Sequence, residues 1–158
     1  MKRTMENLDW AFCVVAFESP SIADSEQTRT YLFDGERLRT LSELHGRDIA
    51  VYKVAGGNGF IPVGHRGIEV GPVEAQASGV IVEGVDGRHS VALGFEQADH
   101  VYGDAKGNKC FHADPYFGSL EPGQKRKMHG RLYVTKGNAD MVFQRLRHDF
   151  PKDNRHDG

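Results

Sequence analysis

Cys110, His112 and Asp114 fall at alternate positions in the segment Cys110-Phe111-His112-Ala113-Asp114-Pro115. In an extended backbone residues i, i+2 and i+4 share one face, so a thiol, an imidazole and a carboxylate can converge on one small site. Two chemistries fit that set. Asp114 can orient His112 as a general base, or the three can bind a metal ion. A purely structural reading stands beside them, with Cys110 as a buried hydrophobe, His112 bonded to a loop carbonyl and Asp114 opening an Asp-Pro turn.

His100 and Tyr102 obey the same period in a neighbouring predicted strand over 97–102. Pairing of that strand near Phe111 would line one pocket with His100, Tyr102, His112 and Asp114, and His65 follows a glycine-rich stretch that could carry it over the top. The expected catalytic residues are therefore His112, Asp114 and His100, with Tyr102, Tyr116, Phe117 and His65 contacting the ligand. Tyr116 and Phe117, together with Trp10, are aromatics on which the C–H face of a sugar ring could stack. The alternative is that Phe111 and Phe117 tuck their segment onto the core. Three histidines and an acid are also ingredients of a divalent-metal site. Spacing across separate elements does not bring them together, so no metal ligand set and no cofactor is assigned.

Other chemistries lack their parts. Gly56-Gly57-Asn58-Gly59 has no GxGxxG pattern, no following helix and no Lys-Ser/Thr, which argues against a phosphate-binding loop. No Gly-x-Ser-x-Gly elbow accompanies a serine triad. Glu69, Glu74, Glu96 and Asp114 are candidates for paired carboxylates, but 22 acidic residues supply such candidates by number alone.

The elements that must position these residues read mostly as strands. Nineteen glycines fall largely between short β-type runs, the pattern of an antiparallel all-β domain. Trp10 to Phe17 is apolar on both faces, as in a central strand. Asp34-Gly35 and Asp86-Gly87 mark hairpins joining 30–33 to 37–41 and 79–83 to 89–95. One helical turn fits 42–46, and a strand fits 48–54. The segments 60–63 and 68–73 carry Pro62 and Pro72 and belong at an edge or in coil. Cys110 onward reads as a loop rich in Pro and Gly that turns at Glu121-Pro122-Gly123-Gln124, before an alternating strand over 127–135. The period then changes. Asn138 suits an N-cap, Asp140 suits the first turn, and Val142, Phe143, Leu146 and Phe150 share one face of a helix over 138–150 that Pro151 ends. The expected fold is all-β: a single antiparallel β-sandwich over 1–151 with one C-terminal α-helix, then a frayed tail over 152–158.

A chain of 158 residues with 39% hydrophobic and 27% charged residues has the composition of a soluble globular domain. Its net charge of −2 gives no electrostatic reason to expect nucleic acid or an anionic membrane as partner. No run approaches the roughly 18 apolar residues of a membrane helix. Lys2 and Arg3 precede polar residues rather than an apolar core with a cleavage site, so a cytoplasmic protein is expected. Cys13 and Cys110 form no CxxC and are read as reduced thiols.

From Val91 onward the chain resembles the C-terminal end of uncharacterised bacterial β-sandwich proteins associated with sugar metabolism. The likeness is carried by Ala92-Leu93-Gly94-Phe95, Cys110 to Pro115, Phe117-Gly118, Pro122-Gly123, Gly130-Arg131-Leu132-Tyr133 and Arg147 to Pro151. It implies the sandwich fold and, with the candidate residues, a small-molecule enzyme acting on a sugar or related polar metabolite, with His112 as acid/base. The alternative is a non-catalytic carbohydrate-binding or accessory subunit of a larger enzyme. A homo-oligomer, or a subunit contact through Arg145 and Arg147, is compatible with either.

Overall fold

In the computed structural model the described residues are 4–9, 13–15, 19–45, 49–57, 70–104 and 110–151. Trp10, His65 and Glu69, and most of the two proline-bearing segments, lie outside them. Among the described residues ten strands and two helices follow one another: β1 (Met5–Asp9), β2 (Cys13–Val15), β3 (Thr30–Phe33), β4 (Leu38–Thr40), α1 (Leu41–Leu44), β5 (Ile49–Lys53), β6 (Gly79–Glu83), β7 (His89–Phe95), β8 (Ala98–Asp104), β9 (Cys110–Leu120), β10 (Gly130–Lys136) and α2 (Ala139–Asp149). No helix among the described residues is long and apolar enough to cross a membrane.

Two antiparallel sheets form a sandwich. One runs β1-β9-β8-β5, with β2 also on β9, and the other runs β10-β7-β6-β3-β4. Both Asp-Gly hairpins form where the turn residues predict them. Gly35 and Gly87 take positive φ, and the Asp34 and Asp86 carboxylates accept N–H bonds from the residues two and three further on. Period-2 alternation sends Leu32, Val80, Val82 and Leu93 from one sheet, and Tyr52, Val101, Phe111 and Ala113 from the other, into a shared interior.

That interior includes a phenol. Tyr52 is fully buried, and its hydroxyl finds no hydrogen-bond partner among the described residues. Burial alone pushes it up to about 12. A buried hydroxyl without a partner costs free energy, so Tyr52→Phe is expected to leave stability unchanged or raise it by about 1 kcal/mol. A urea midpoint lowered by the substitution would contradict this.

The second sheet carries a further apolar layer on its outer face, where Ile81, Ala92 and Tyr133 meet Val142, Phe143 and Leu146 of α2. The Asn138 side chain caps α2 by accepting from the Met141 N–H at 3.1 Å, and Glu83 accepts the Ala139 N–H at 2.7 Å. At the other end Asp149 accepts hydrogen bonds from the Tyr133 hydroxyl at 2.8 Å and from the Arg131 guanidinium. These partners, with His148, hold the Asp149 carboxyl below its usual range, the Tyr133 bond having the largest influence. A depressed carboxylate contributes stability that is complete above its unfolded value, about 4, and is lost as pH falls through the folded value. Asp149→Asn should therefore lower the urea midpoint at pH 7, with the gap from the parent protein closing toward pH 3. A gap independent of pH would show that the carboxylate charge is not involved.

One element differs from expectation. The 110–120 stretch is an eleven-residue strand, not a loop, and it is paired on both sides by β8 and by β1 with β2. Pro115 is tolerated there because it stands opposite Ala98, where the β8 register shifts; a bulge is one of the few sheet positions where proline fits. Gly118 supplies the positive φ of 67° where the pairing with β1 shifts register. β2 belongs to the segment 10–17 expected as a central strand, of which residues 13–15 are described. Among the described residues its one partner is β9, and Val14 packs against the core.

Candidate functional site

β9 and β8 place the candidate residues in one patch. Their register sets His100 opposite Asp114 and Tyr102 opposite His112, with Asp104 opposite Cys110. Val101, Phe111 and Ala113, at the intervening positions, belong to the sandwich interior. Alternation therefore assigns His100, Tyr102 and Asp104, and Cys110, His112 and Asp114, to the outer face of the first sheet. Lys53 stands opposite His100 on β5, and Cys13 opposite His112 on β2.

An outer sheet face is normally where polar side chains meet water. Here it is largely buried. His100 and Asp114 are both 0% exposed, Tyr102 4% and Cys110 5%. His112 alone of these five keeps partial exposure. Directly opposed strand residues have Cβ atoms about 4.5–5.5 Å apart, so His100 and Asp114 form an imidazole–carboxylate neighbour pair inside the protein. Burying ionisable groups is costly unless they are paired or hydrogen-bonded, and this patch buries four of them.

The central contact joins thiol to imidazole. His112 Nε2 lies 2.9 Å from Cys110 Sγ. The Tyr102 ring stacks on the His112 ring, with centroids 4.0 Å apart and planes within 11°. The stack restricts rotation of the imidazole and keeps Nε2 directed at sulfur. A thiol at hydrogen-bond distance from an imidazole can pass its proton to the ring and become a nucleophile. His112 Nε2 thus meets Cys110, and Asp114 stands opposite His100 on the neighbouring strand. Among the described residues no group of three or more His, Cys, Asp or Glu side chains is arranged to hold a metal ion.

Tyr116 and Phe117 lie within β9, both half-buried. Alternation puts Tyr116 on the outer face in line with Asp114, and Phe117 on the opposite face. Of the candidate acids for paired carboxylates, Glu96 is bonded to the backbone and ring of His129, at 3.1 Å each. Asp104 and Lys53 join the patch without having been singled out in the sequence. The signal that could have found them is the same two-residue period, continued past Tyr102 and carried onto β5.

A separate open cleft of about 440 Å³ lies between β10 and the last turns of α2, lined by Arg131, Tyr133, Gln144, Arg145, His148 and Asp149. Within it Asp149 takes Arg131, Tyr133 and His148, and Arg145 donates to Thr135.

No protein-family model, curated protein or solved structure matches the chain. The functional reading therefore rests on the geometry of this patch.

Proposed function

We propose that the protein is a small-molecule enzyme acting on a sugar or a related polar metabolite, with Cys110 and His112 as its reactive pair. The observation that carries this reading is the 2.9 Å contact between Cys110 Sγ and a His112 ring held by Tyr102. His112 acts as acid/base through Nε2. It takes the thiol proton as Cys110 sulfur bonds to an electrophilic carbonyl carbon of the substrate, and the carbonyl π pair moves to oxygen. The same proton, returned from Nε2, neutralises that oxygen. His100 and Asp114 supply a second donor and acceptor for hydroxyl groups, and Tyr116 is the aromatic in line with them. His112, the partly exposed member, marks the side from which a ligand approaches.

The test is a turnover screen of aldoses, ketoses, sugar acids and small aldehydes, run on the parent protein and on Cys110→Ser. Loss of a positioned nucleophile is expected to reduce kcat by about 10²-fold or more, with the thermal midpoint within a few degrees of the parent. Undiminished turnover in Cys110→Ser would remove the pair from the mechanism. Sugar binding without turnover would instead mark a carbohydrate-binding or accessory subunit.

A further inference from the structure

β10 is an edge strand with an unusual balance of charge and apolar surface. It pairs with β7 over seven consecutive residues, Gly130↔Phe95 to Lys136↔His89, without a bulge. It contains no proline, and no described strand pairs with its other side. Leu132 and Val134 have the parity of Leu93 and Val91, which point into the sandwich. They are nevertheless 52% and 75% exposed. β6 and β7 are the strands of this sheet that lie over β8 and β9, so β10 overhangs and its inward side chains meet solvent. An unbroken edge of this kind, with two exposed apolar side chains, invites pairing with another strand.

We propose that two copies of this chain associate through β10, pairing antiparallel about a two-fold axis at Tyr133. The backbone orientation selects this register. The Glu96 N–H donates to the His129 carbonyl at 3.0 Å and the Gly137 N–H to the Arg88 carbonyl at 2.7 Å. Odd-numbered residues of β10 therefore turn their backbone groups toward β7. Gly130, Leu132, Val134 and Lys136 turn theirs to the open edge. With the axis at Tyr133, Leu132 meets Val134 of the second copy and Gly130 meets its Lys136. Every outward N–H and C=O of the strand then has a partner. Registers centred on Leu132 or Val134 leave part of the strand beyond the pairing.

Side chains agree with the backbone. Leu132 and Val134 form two apolar cross-strand pairs on the exposed inner face. On the other face Arg131 meets Thr135, and on the inner face Lys136 meets Gly130, so no like charges are directly opposed. Arg131 is already neutralised by Asp149 of its own chain. An interface in which the same patch serves both subunits is the usual form of a two-fold dimer. This proposal is independent of the chemistry at Cys110.

Sedimentation velocity on the full chain across micromolar to millimolar concentration tests it. The expected species has twice the 17.6 kDa chain mass. Leu132→Lys and Val134→Glu should each raise the dissociation constant at least about tenfold, because a charge then opposes an apolar residue. Both positions are more than half exposed, so folding is retained. The double variant places a lysine opposite a glutamate twice across the axis and should recover most of the lost association. Val85→Lys, at another exposed apolar position, should leave the dimer unchanged. A parent protein monomeric throughout, a dimer indifferent to both single substitutions, or a double variant weaker than either single one would overturn the proposal.

Discussion

Phe143→Ala is expected to lower folding stability by about 3–5 kcal/mol. Phe143 is 6% exposed and is the largest α2 side chain in the layer between the helix and the second sheet. Its ring centroid lies 4.7 Å from that of Phe33, with planes tilted by 38°, and the Arg147 guanidinium sits 5.8 Å from the ring centroid. Truncation removes the buried area, the aromatic pair and the cation contact together. The cavity cannot close easily, because α2 is fixed at its start by Asn138 and Glu83 and at its end by Asp149. At this chain length each kcal/mol shifts the melting midpoint by about 2–4 °C, so a drop of roughly 6–20 °C is expected by calorimetry. Met141→Ala, on the same helix but 55% exposed, should change stability by less than about 0.5 kcal/mol. Near-equal effects of the two substitutions would mean that α2 is not an integral layer of the fold.

His112→Ala is expected to slow alkylation of Cys110 at pH 6 by roughly a hundredfold, since an unassisted thiol is almost wholly protonated there and an imidazole partner supplies the thiolate. The experiment follows iodoacetamide incorporation peptide by peptide, which separates Cys110 from Cys13. Its sign is informative. Cys110 is 5% exposed, and removing the neighbouring ring opens space around sulfur, so a merely buried thiol would react faster in the variant. Slower reaction can come only from loss of the proton acceptor. Tyr102→Leu should give an intermediate rate, because the imidazole remains but loses the ring stacked 4.0 Å away. Faster alkylation in His112→Ala would make Cys110 a structural residue and withdraw the proposed mechanism.

Within the candidate site, the periodic part was legible in advance. Cys110, His112 and Asp114 alternate with Phe111 and Ala113, and His100 and Tyr102 alternate with Val101; period 2 alone puts each set on one face of its strand. Which residue meets which was not legible. His112 Nε2 meets Cys110 Sγ, and cross-strand register sets Asp114 opposite His100. Register between separate strands depends on turn geometry and on bulges such as the one at Ala98/His100, and short-range spacing encodes neither.

The amino-acid sequence by itself determined the all-β class, the two Asp-Gly hairpins and the helix that Asn138 opens and Pro151 ends. Each follows from local conformational preference: positive φ at glycine, capping oxygen at Asn138, and apolar period along α2. Tertiary structure alone decided that Cys110–Leu120 is a central strand despite Pro115 and Gly118, because a register shift in one neighbour removes the need for a proline N–H and another accommodates the positive φ. It also decided that Tyr133, rather than Leu132 and Val134, is the buried side of β10. Both faces of that strand carry apolar residues, and burial follows from where α2 docks and where the opposing sheet ends.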